Sequence, residues 1–415
     1  MPTIKPFAAV RPAPGMAARV AALPYDVVDS REAREIVAQN PYSFLRVDRA
    51  EVDLEPSIDV HDPRVYQKVR ENLNRMLADG VFSQDGEENF YIYRLTMGDH
   101  HQVGLVACTA VDDYLNNTIK RHEQTRPDKE KDRVQHIEAC NAHTGPIFLT
   151  YRARGEIDVL ISRWTQNHPP VYDFLGPGGI GHTVWVVDDR IAKEELAAAF
   201  GAVKGFYIAD GHHRCAAAAR VALRRREQDA DYTGEEEYNY FPAVLFPHTQ
   251  LKILDYNRVV RDLNGLTPVR FKERVKEKFV LEDWRGQGPY RPEKRGLFGM
   301  YLEGKWYVLR VREEVLKGRD IVASLDVSLL QDNILGPILG IKDPRTDARI
   351  DFIGGSRGLK ELEDRVRAGM AVAFSLYPTT ITDVMDIADR NMVLPPKSTW
   401  FEPKLLSGLF IHPLE

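Results

Sequence analysis

Apolar residues recur at intervals of three and four along much of the chain, a spacing typical of amphipathic helices. The clearest predicted helix is Pro63–Ala78, whose apolar residues share one face: Val65, Val69, Leu73 and Leu77. A second helix is predicted over Arg31–Gln39, because Asp29 and Glu32 have the spacing of a capping box. The first part of the chain is therefore expected to contain several surface helices packed on a core.

Apolar runs with strand character lie between these helices. Phe90–Met97 alternates apolar and polar residues, and Gln102–Val111 is predicted to be its hairpin partner. Phe206–Ala209 is a short continuous apolar run, typical of a buried strand, and an alanine-rich helix is predicted from Cys215 onward. These elements together predict a mixed sheet flanked by helices.

From about residue 261 the pattern changes to charged helices and short strands. The elements predicted there are a helix, a hairpin and a strand–helix alternation: Thr267–Phe279, Leu297–Leu302 with Lys305–Val311, and the run from Ile350 to Ala388. We therefore expect a mixed α/β (α+β) protein with a region over residues 1–260 and a smaller, closely packed α+β region over 261–415. The apolar helical stretch Leu325–Leu339 is expected to serve packing or subunit contact, so a homodimer is among the expected assemblies.

Composition narrows the class of protein. The chain has 415 residues, of which 43% are hydrophobic, as in a globular protein with a core. Its net charge of −5 argues against general nucleic-acid binding, and its three distant cysteines argue against a disulfide framework. The N-terminus lacks the pattern of a signal peptide, and no apolar run approaches the ~20 residues that span a bilayer. The expectation is a cytoplasmic protein without a membrane partner.

The turn between the strand ending at Ala209 and the alanine-rich helix carries the strongest candidate chemistry. Gly211 lies at the helix start, where free N–H groups and a partial positive charge attract anions. Arg214 adds a planar fork suited to phosphate or carboxylate oxygens, and Asp210 is placed to take a magnesium ion or a proton. The alternative is a simple helix cap with two exposed histidines. The chain has no Gly-x-x-x-x-Gly-Lys-Ser/Thr loop at this turn, so a nucleotide would be held in another way.

A second candidate segment, Lys120–Arg133, mixes six basic with four acidic residues. A nucleic-acid stripe would be more one-sided, so that interpretation is rejected. Two interpretations remain: a solvated helix start, or a phosphate and substrate cradle. In the cradle Lys120, Arg121 and Lys131 are the cations, and Glu123 is a general base or metal ligand, since such sites bind an anion and move a proton.

Two other patterns are better explained structurally. His136, Cys140 and His143 lack a fourth ligand at a convincing spacing, so helix packing is preferred to a zinc site. Gly176–Gly181 satisfies Gly-x-Gly-x-x-Gly, but a strand follows it instead of a helix. A loop between strands is therefore predicted there.

Two further stretches keep two interpretations each. Asp26 in Pro24–Val28 is either a turn residue or a functional carboxylate. The tail residues Lys397, Ser398 and Lys404 either complete an anion site or belong to a structural strap.

The Asp210–Arg214 sequence, Asp-Gly-His-His-Arg, resembles the signature of the ParB/sulfiredoxin-like fold in the form carried by free-serine kinases. The whole chain also resembles the bacterial and archaeal family known as domain of unknown function 1015. The stretches that carry this second resemblance span nearly the full length: Ile4–Phe7, Pro24–Val28, Asn40–Phe44, Arg121–Thr125, Asp210–Arg214 and Leu394–Lys404.

The resemblance implies a ParB/sulfiredoxin-like nucleotide-binding core and phosphoryl transfer from ATP or ADP, with Mg²⁺, to a small hydroxyl compound, with free L-serine as the best candidate. It implies catalytic roles for Asp210, His212, His213, Glu123 and Asp26. The nucleotide-binding set is Gly211, His213, Arg214, Lys120, Arg121, Thr125 and Lys131. Lys397, Ser398 and Lys404 are expected to bind substrate, and Asp210 the metal.

Two other classes of function remain open from the sequence. A ParB-like nucleotide-switched binding protein would use the same turn, and so would a nucleotide hydrolase in which water replaces the acceptor hydroxyl. A sulfiredoxin-type reductase is disfavoured, because Cys215 follows the histidine–arginine turn instead of lying inside it.

Overall fold

The computed structural model describes all 415 residues and divides into two compact units. The first unit comprises Met1–Leu251 together with the tail Pro403–Glu415, and the second comprises Lys252–Glu402. Both units mix helices and strands, which confirms the predicted α+β class. No helix has the length and apolarity that crossing a bilayer requires.

The strands of the first unit are β1 (Ile4–Lys5), β2 (Val10–Pro12), β3 (Phe82–Gln84), β4 (Phe90–Met97), β5 (His100–Ala110), β6 (Ile119–Lys120), β7 (Ala142–His143), β8 (Ile147–Tyr151), β9 (Tyr172–Leu175), β10 (Gly181–Val187), β11 (Phe206–Asp210) and β12 (Tyr240–Pro247). Nine of them form a mixed sheet with the order β6-β11-β8-β12-β5-β4-β10-β9, in which β1 pairs with β5. The helices of this unit are α1 (Ala17–Val20), α2 (Ser30–Gln39), α3 (Leu45–Asp48), α4 (Pro63–Ala78), α5 (Val111–Leu115), α6 (Pro127–Cys140), α7 (Gly155–Asn167), α8 (Arg190–Gly201) and α9 (His212–Gln228).

Several of these elements confirm predictions made from local pattern. The Asp29 side chain accepts hydrogen bonds at the start of α2, and Glu32 completes the capping box. Helix α4 has the predicted bounds, and β4 and β5 form the predicted antiparallel hairpin. The glycine-rich stretch 176–181 joins the antiparallel strands β9 and β10, as predicted.

Helix α9 is buried on all sides near its start, where it carries four consecutive alanines. Ala216, Ala217, Ala218 and Ala219 are all buried in the main core of this unit. Because alanine has no side chain beyond Cβ, the helix axis can approach its neighbours closely, and this holds the start of α9 against the end of β11.

The strands of the second unit are β13 (Lys252–Leu254), β14 (Tyr256–Val260), β15 (Phe279–Asp283), β16 (Leu297–Leu302), β17 (Lys305–Val311), β18 (Ile350–Gly354), β19 (Val372–Leu376) and β20 (Trp400–Glu402). Six of them form an antiparallel sheet with the order β15-β17-β16-β19-β14-β18, and β13 pairs separately with β20. The helices of this unit are α10 (Pro268–Lys276), α11 (Glu313–Leu316), α12 (Asp326–Leu330), α13 (Lys360–Arg367) and α14 (Ile381–Asp389).

The predicted apolar helical stretch Leu325–Leu339 is regular α-helix only in its first part. Helix α12 ends at Leu330 and a π-helical turn follows over Gln331–Leu335, in which the Gly336 N–H donates to the Gln331 carbonyl. Pro337 has no N–H to extend the regular hydrogen-bond ladder, and the segment after it continues as turns, with the Ile338 N–H donating to the Ile334 carbonyl.

The tail Pro403–Glu415 is ordered within the first unit. Ser407 pairs with Ala22 through two backbone hydrogen bonds, and Ile411 pairs with Val10 in the same way. The last strand, β21 (His412–Pro413), pairs with β7. Its apolar side chains are buried: Leu405, Leu406, Leu409, Phe410, Ile411 and Leu414. The tail therefore forms part of the fold of this unit.

Candidate functional site

The candidate site lies at one edge of the main sheet, fixed by the directions of three strands. Strand β6 is parallel to β11, and β8 is antiparallel to β11. The carboxyl ends of β6 and β11 and the start of β8 therefore share an edge. This edge brings together His122, Pro146 and Asp210, which are far apart in sequence.

The turn after β11 forms an anion-binding geometry. Gly211 has φ +99° and ψ 27°, a left-handed conformation that favours glycine, and it caps α9. Its N–H donates to Asp210 Oδ1 at 2.9 Å, so the donors that remain at this helix start are the N–H groups of His212, His213 and Arg214. The Arg214 guanidinium folds back over the turn and donates from Nη1 to the Pro146 carbonyl at 2.7 Å. The geometry can bind phosphate oxygens.

Substitution Gly211→Ala is expected to lower the free energy of unfolding by about 1–2 kcal/mol, because an alanine must adopt the left-handed conformation. Its Cβ would also lie 3.0 Å from Arg214 Nη2 and would push the guanidinium away from the turn. Urea denaturation measures the change. Gly155→Ala is the matched control, since that helix-start glycine has nothing within 4 Å of an added Cβ. Equal stability of the two variants would contradict the expectation.

Asp210 is paired with Lys404 from the tail. Lys404 Nζ lies 3.1 Å from Asp210 Oδ2 and donates a hydrogen bond to it. Burial acts to raise the pKa of Asp210, but the positive charges of Lys404 and Arg214 outweigh it and hold the pKa at about 2. Asp210 is therefore ionised at neutral pH, which suits a cation-binding carboxylate better than a general base.

Beside Asp210 lies a cluster of two histidines and a carboxylate. One ligand atom from each of His122, Glu123 and His212 lies within 4.8 Å of the others. The rings of His122 and His212 meet edge to face with centroids 4.4 Å apart, and the residues are 1% and 5% exposed. Neither ring nitrogen of His122 has a hydrogen-bond partner, and nor does Nε2 of His212. Leaving such buried groups unpaired costs about 1–3 kcal/mol each.

Both of these histidines are neutral at neutral pH. Burial lowers the pKa of His122 to about 4, although the charge of Asp210 acts in the opposite direction. Burial and the neighbouring His122 hold the pKa of His212 well below its ordinary value. A neutral imidazole is the form that binds a metal ion.

His213 faces a different set of neighbours. Its Nε2 accepts a hydrogen bond from the Arg126 N–H at 3.2 Å. Burial lowers the pKa of His213, while the negative charges of Asp26 and Glu130 act to raise it. Neither histidine of the turn is exposed, so the alternative of a helix cap with two exposed histidines is wrong.

A polar cavity adjoins the turn. It is small, about 30 Å³, which is enough for a water molecule, and its lining includes Tyr25, Asp48, Arg133, Thr144, Arg214 and Ser407. The buried Arg133 pairs with Asp132 at 2.7 Å, and its guanidinium lies 3.9 Å from the centre of the Tyr25 ring. Asp48 accepts a hydrogen bond from the Thr144 hydroxyl at 3.2 Å. The cavity thus presents charges of both signs next to Arg214.

A family model described as protein of unknown function (DUF1015) matches residues 4–328. The chain belongs to this family. The match confirms the resemblance of the whole chain to the domain of unknown function 1015 family. No curated protein matches the sequence.

Solved structures resemble the chain only distantly. A free serine kinase in complex with AMP is 14% identical, with 71% of this chain and 86% of that chain covered and a TM-score of 0.36. A conserved hypothetical protein from Pyrococcus furiosus is 14% identical, with coverage of 73% and 94% and a TM-score of 0.35. SbnI with a C-terminal truncation, from Staphylococcus aureus, is 12% identical, with coverage of 72% and 85% and a TM-score of 0.39. Likenesses at this level carry no conclusion about activity.

The structure brings only some of the predicted residues of this DUF1015 protein to the turn. Lys120 extends toward Gly205, at the other end of β11, and Arg121 contacts Tyr114. Thr125 donates to Glu130. Lys131 lines an open groove between α4 and α6 with Arg70 and Arg224, and does not line the polar cavity.

Lys397 and Ser398 lie in the second unit. The Lys397 carbonyl accepts from Arg258, and its ammonium lies 5.7 Å from the centre of the Tyr256 ring. The Ser398 hydroxyl donates to the Pro395 carbonyl. Substrate binding by these two residues stays a prediction.

Asp210 is the residue at this turn that could hold a magnesium ion. Mg²⁺ usually keeps several waters and takes one or two protein carboxylates together with phosphate oxygens. Asp210, ionised at the end of β11, supplies one such ligand. When bound there, the ion would neutralise charge on the phosphates.

Sequence reasoning did not single out Asp48, Arg133, Tyr25 or His122 as site residues. A signal for Arg133 does exist: Glu130, Asp132, Arg133 and His136 are charged or polar, yet all occupy the buried side of α6. A helix that buries such residues carries polar chemistry on its inner face. The partners of Asp48 and Tyr25 come from distant segments and leave no local pattern.

Proposed function

We propose that this chain is a nucleotide-dependent phosphotransferase that acts on the hydroxyl group of a small polar molecule. The observation that carries the proposal is the turn at Gly211, where three free helix N–H groups, the Arg214 guanidinium and the Lys404–Asp210 pair converge. Phosphoryl transfer depends mostly on positioning and charge neutralisation, and these groups supply both.

The terminal phosphates of ATP or ADP would lie at the start of α9. The N–H groups of His212, His213 and Arg214 would donate to phosphate oxygens, and the guanidinium would bind two oxygens at once. Asp210 would hold a magnesium ion carried by the nucleotide, and Lys404 would balance the carboxylate charge. In the transfer the bond between the terminal phosphorus and its bridging oxygen breaks, and a bond to the acceptor oxygen forms.

The acceptor would bind at the polar cavity, whose walls must open to admit it, because about 30 Å³ holds no more than a water molecule. The charges of both signs in its lining favour a zwitterion. Arg133 would bind the carboxylate and Asp48 the ammonium group of an amino acid, which leaves a side-chain hydroxyl directed at Arg214. Free L-serine, the acceptor implied by the sequence resemblance, has this composition.

The proton of the acceptor hydroxyl must pass to a base. Asp210 is a weak candidate, because Lys404 and Arg214 hold its pKa at about 2. Asp26 is exposed in a turn, next to Tyr25 of the cavity wall, and its charge acts on His213. We assign the base role to Asp26, with Glu123 as the alternative carboxylate.

Phosphorus-31 NMR tests the proposal. The protein is mixed with Mg²⁺ and either ATP or ADP. L-Serine, L-alanine or glycerol is then added to separate samples of this mixture. The expected result is a new phosphomonoester signal with L-serine, none with L-alanine, which lacks the hydroxyl, and at least tenfold slower formation by Asp48→Asn. Nucleotide breakdown without an acceptor would replace the proposal with a hydrolase, and an unchanged nucleotide in every mixture would refute phosphoryl transfer.

A further inference from the structure

We propose that His122, Glu123 and His212 bind a divalent transition-metal ion such as Zn²⁺, separate from the magnesium that accompanies the nucleotide. The three ligand atoms already lie within 4.8 Å of one another without an ion between them. Zinc bound to imidazole or carboxylate has ligand distances of about 2.0–2.2 Å, so the three ligand atoms would have to move closer together around the ion.

The burial of the two rings supports a ligand role. His122 and His212 are 1% and 5% exposed, and the ring nitrogens without partners are Nδ1 and Nε2 of His122 and Nε2 of His212. Buried polar atoms in native proteins nearly always have partners. A packing role explains the edge-to-face contact of the rings but leaves three nitrogens unpaired, whereas a bound ion uses one nitrogen from each ring.

Groups that could orient a metal-ligating histidine lie near His122. Such a histidine usually donates its second ring N–H to a carbonyl or carboxylate. The Ile208 carbonyl lies near the His122 ring but accepts no hydrogen bond from it, and the negative charge of Asp210 acts on both rings. The site thus has groups available to orient its ligands.

The donor set decides the class of ion. Two imidazoles and one carboxylate favour Zn²⁺, Mn²⁺ or Fe²⁺, since Mg²⁺ prefers oxygen ligands. Three protein ligands leave a coordination position open, as in zinc sites that bind water or substrate. That this position faces a phosphate oxygen rests on the proposed function, whereas the binding of the ion does not.

Metal titration of the full chain tests the inference. The protein is dialysed against a chelator and titrated with Zn²⁺ or Mg²⁺ by calorimetry, and with Co²⁺ by visible absorption. The expected result is one Zn²⁺ per chain at micromolar affinity or tighter, at least a hundredfold preference over Mg²⁺, and a Co²⁺ band typical of mixed nitrogen and oxygen ligands.

Three variants locate the ion. His212→Ala is expected to abolish this binding, and Glu123→Gln, which keeps the side-chain shape, to weaken it at least tenfold. His101→Gln removes an exposed histidine on β5 and should leave binding unchanged. Circular dichroism shows whether each variant is folded. The inference would be overturned by any of three results. The protein takes up no zinc, both ligand substitutions leave zinc uptake unchanged, or the protein binds Mg²⁺ as tightly as Zn²⁺.

The outcome is independent of turnover. Zinc binding at these residues in a protein that transfers no phosphoryl group would sustain the metal site and refute the proposed function. Phosphoryl transfer by a protein that takes up no zinc would refute the metal site and support the proposed function.

Discussion

Substitution Arg214→Ala is expected to lower kcat/KM for phosphoryl transfer by about 10²–10³, equivalent to about 3–4 kcal/mol of transition-state stabilisation. The guanidinium lies over the Gly211 turn and is fixed by its hydrogen bond to the Pro146 carbonyl. Alanine removes a charged, two-pronged donor from the place where phosphate charge would develop. Initial rates from phosphorus-31 NMR measure the effect.

Arg224→Ala provides the control for this prediction. Arg224 is on the same helix, its side chain is 54% exposed, and its only ion pair, with Glu138, is 3.8 Å long. Surface pairs of this kind contribute little, so the rate should stay within about twofold of the wild-type rate. Equal rates for the Arg214 and Arg224 variants would show that the turn does not carry the chemistry.

Substitution Lys404→Met is expected to lower the free energy of unfolding at pH 7 by about 1–3 kcal/mol. Breaking a fully buried pair costs about 3–5 kcal/mol by leaving one charge uncompensated. Asp210 is 30% exposed on its side chain, so the expected cost is smaller. Lys68→Met, which breaks an exposed pair on α4, is the control and should cost about 0.5 kcal/mol or less.

Because Asp210 titrates, the contribution of the Lys404–Asp210 pair to the free energy of unfolding is expected to depend on pH. The folded pKa of Asp210 is about 2, below its unfolded value of about 3.9. The stabilisation is therefore fully present above pH 4 to 5 and is lost as the pH falls toward 2. Urea denaturation at pH 7 and pH 3 should show a smaller difference between wild type and Lys404→Met at the lower pH. A difference that is unchanged or larger at pH 3 would contradict the assignment.

Local pattern predicts much of the framework that holds the site. The capping box of α2, the bounds of α4 and the β4–β5 hairpin each depend on residues close together in sequence. The turn at Gly211 is likewise local, since a strand, a glycine and an alanine-rich helix follow one another directly. Such signals survive folding because tertiary contacts reinforce them.

The contacts between distant residues could not be predicted in the same way. Lys404 and Asp210 are 194 positions apart, and the tail is held near the turn by its pairing with Ala22, Val10 and β7, all distant in sequence. Helix α12 shows a different limit: its apolar pattern continues to Leu339, but a π-helical turn over Gln331–Leu335 replaces the regular helix after Leu330. Periodicity reports which face is buried and does not report which distant segment covers it.

Hydrogen–deuterium exchange with and without saturating ADP tests the central claim most directly, because it locates the nucleotide. The first N–H groups of α9 have no acceptor within the helix and should exchange rapidly in the free protein. We predict that ADP slows amide exchange at His212, His213 and Arg214 in the wild-type protein and in the control Arg224→Ala. In Arg214→Ala, ADP should slow the exchange of these amides much less. Binding of ADP that leaves these amides unchanged and protects the groove around Lys131 instead would contradict the account.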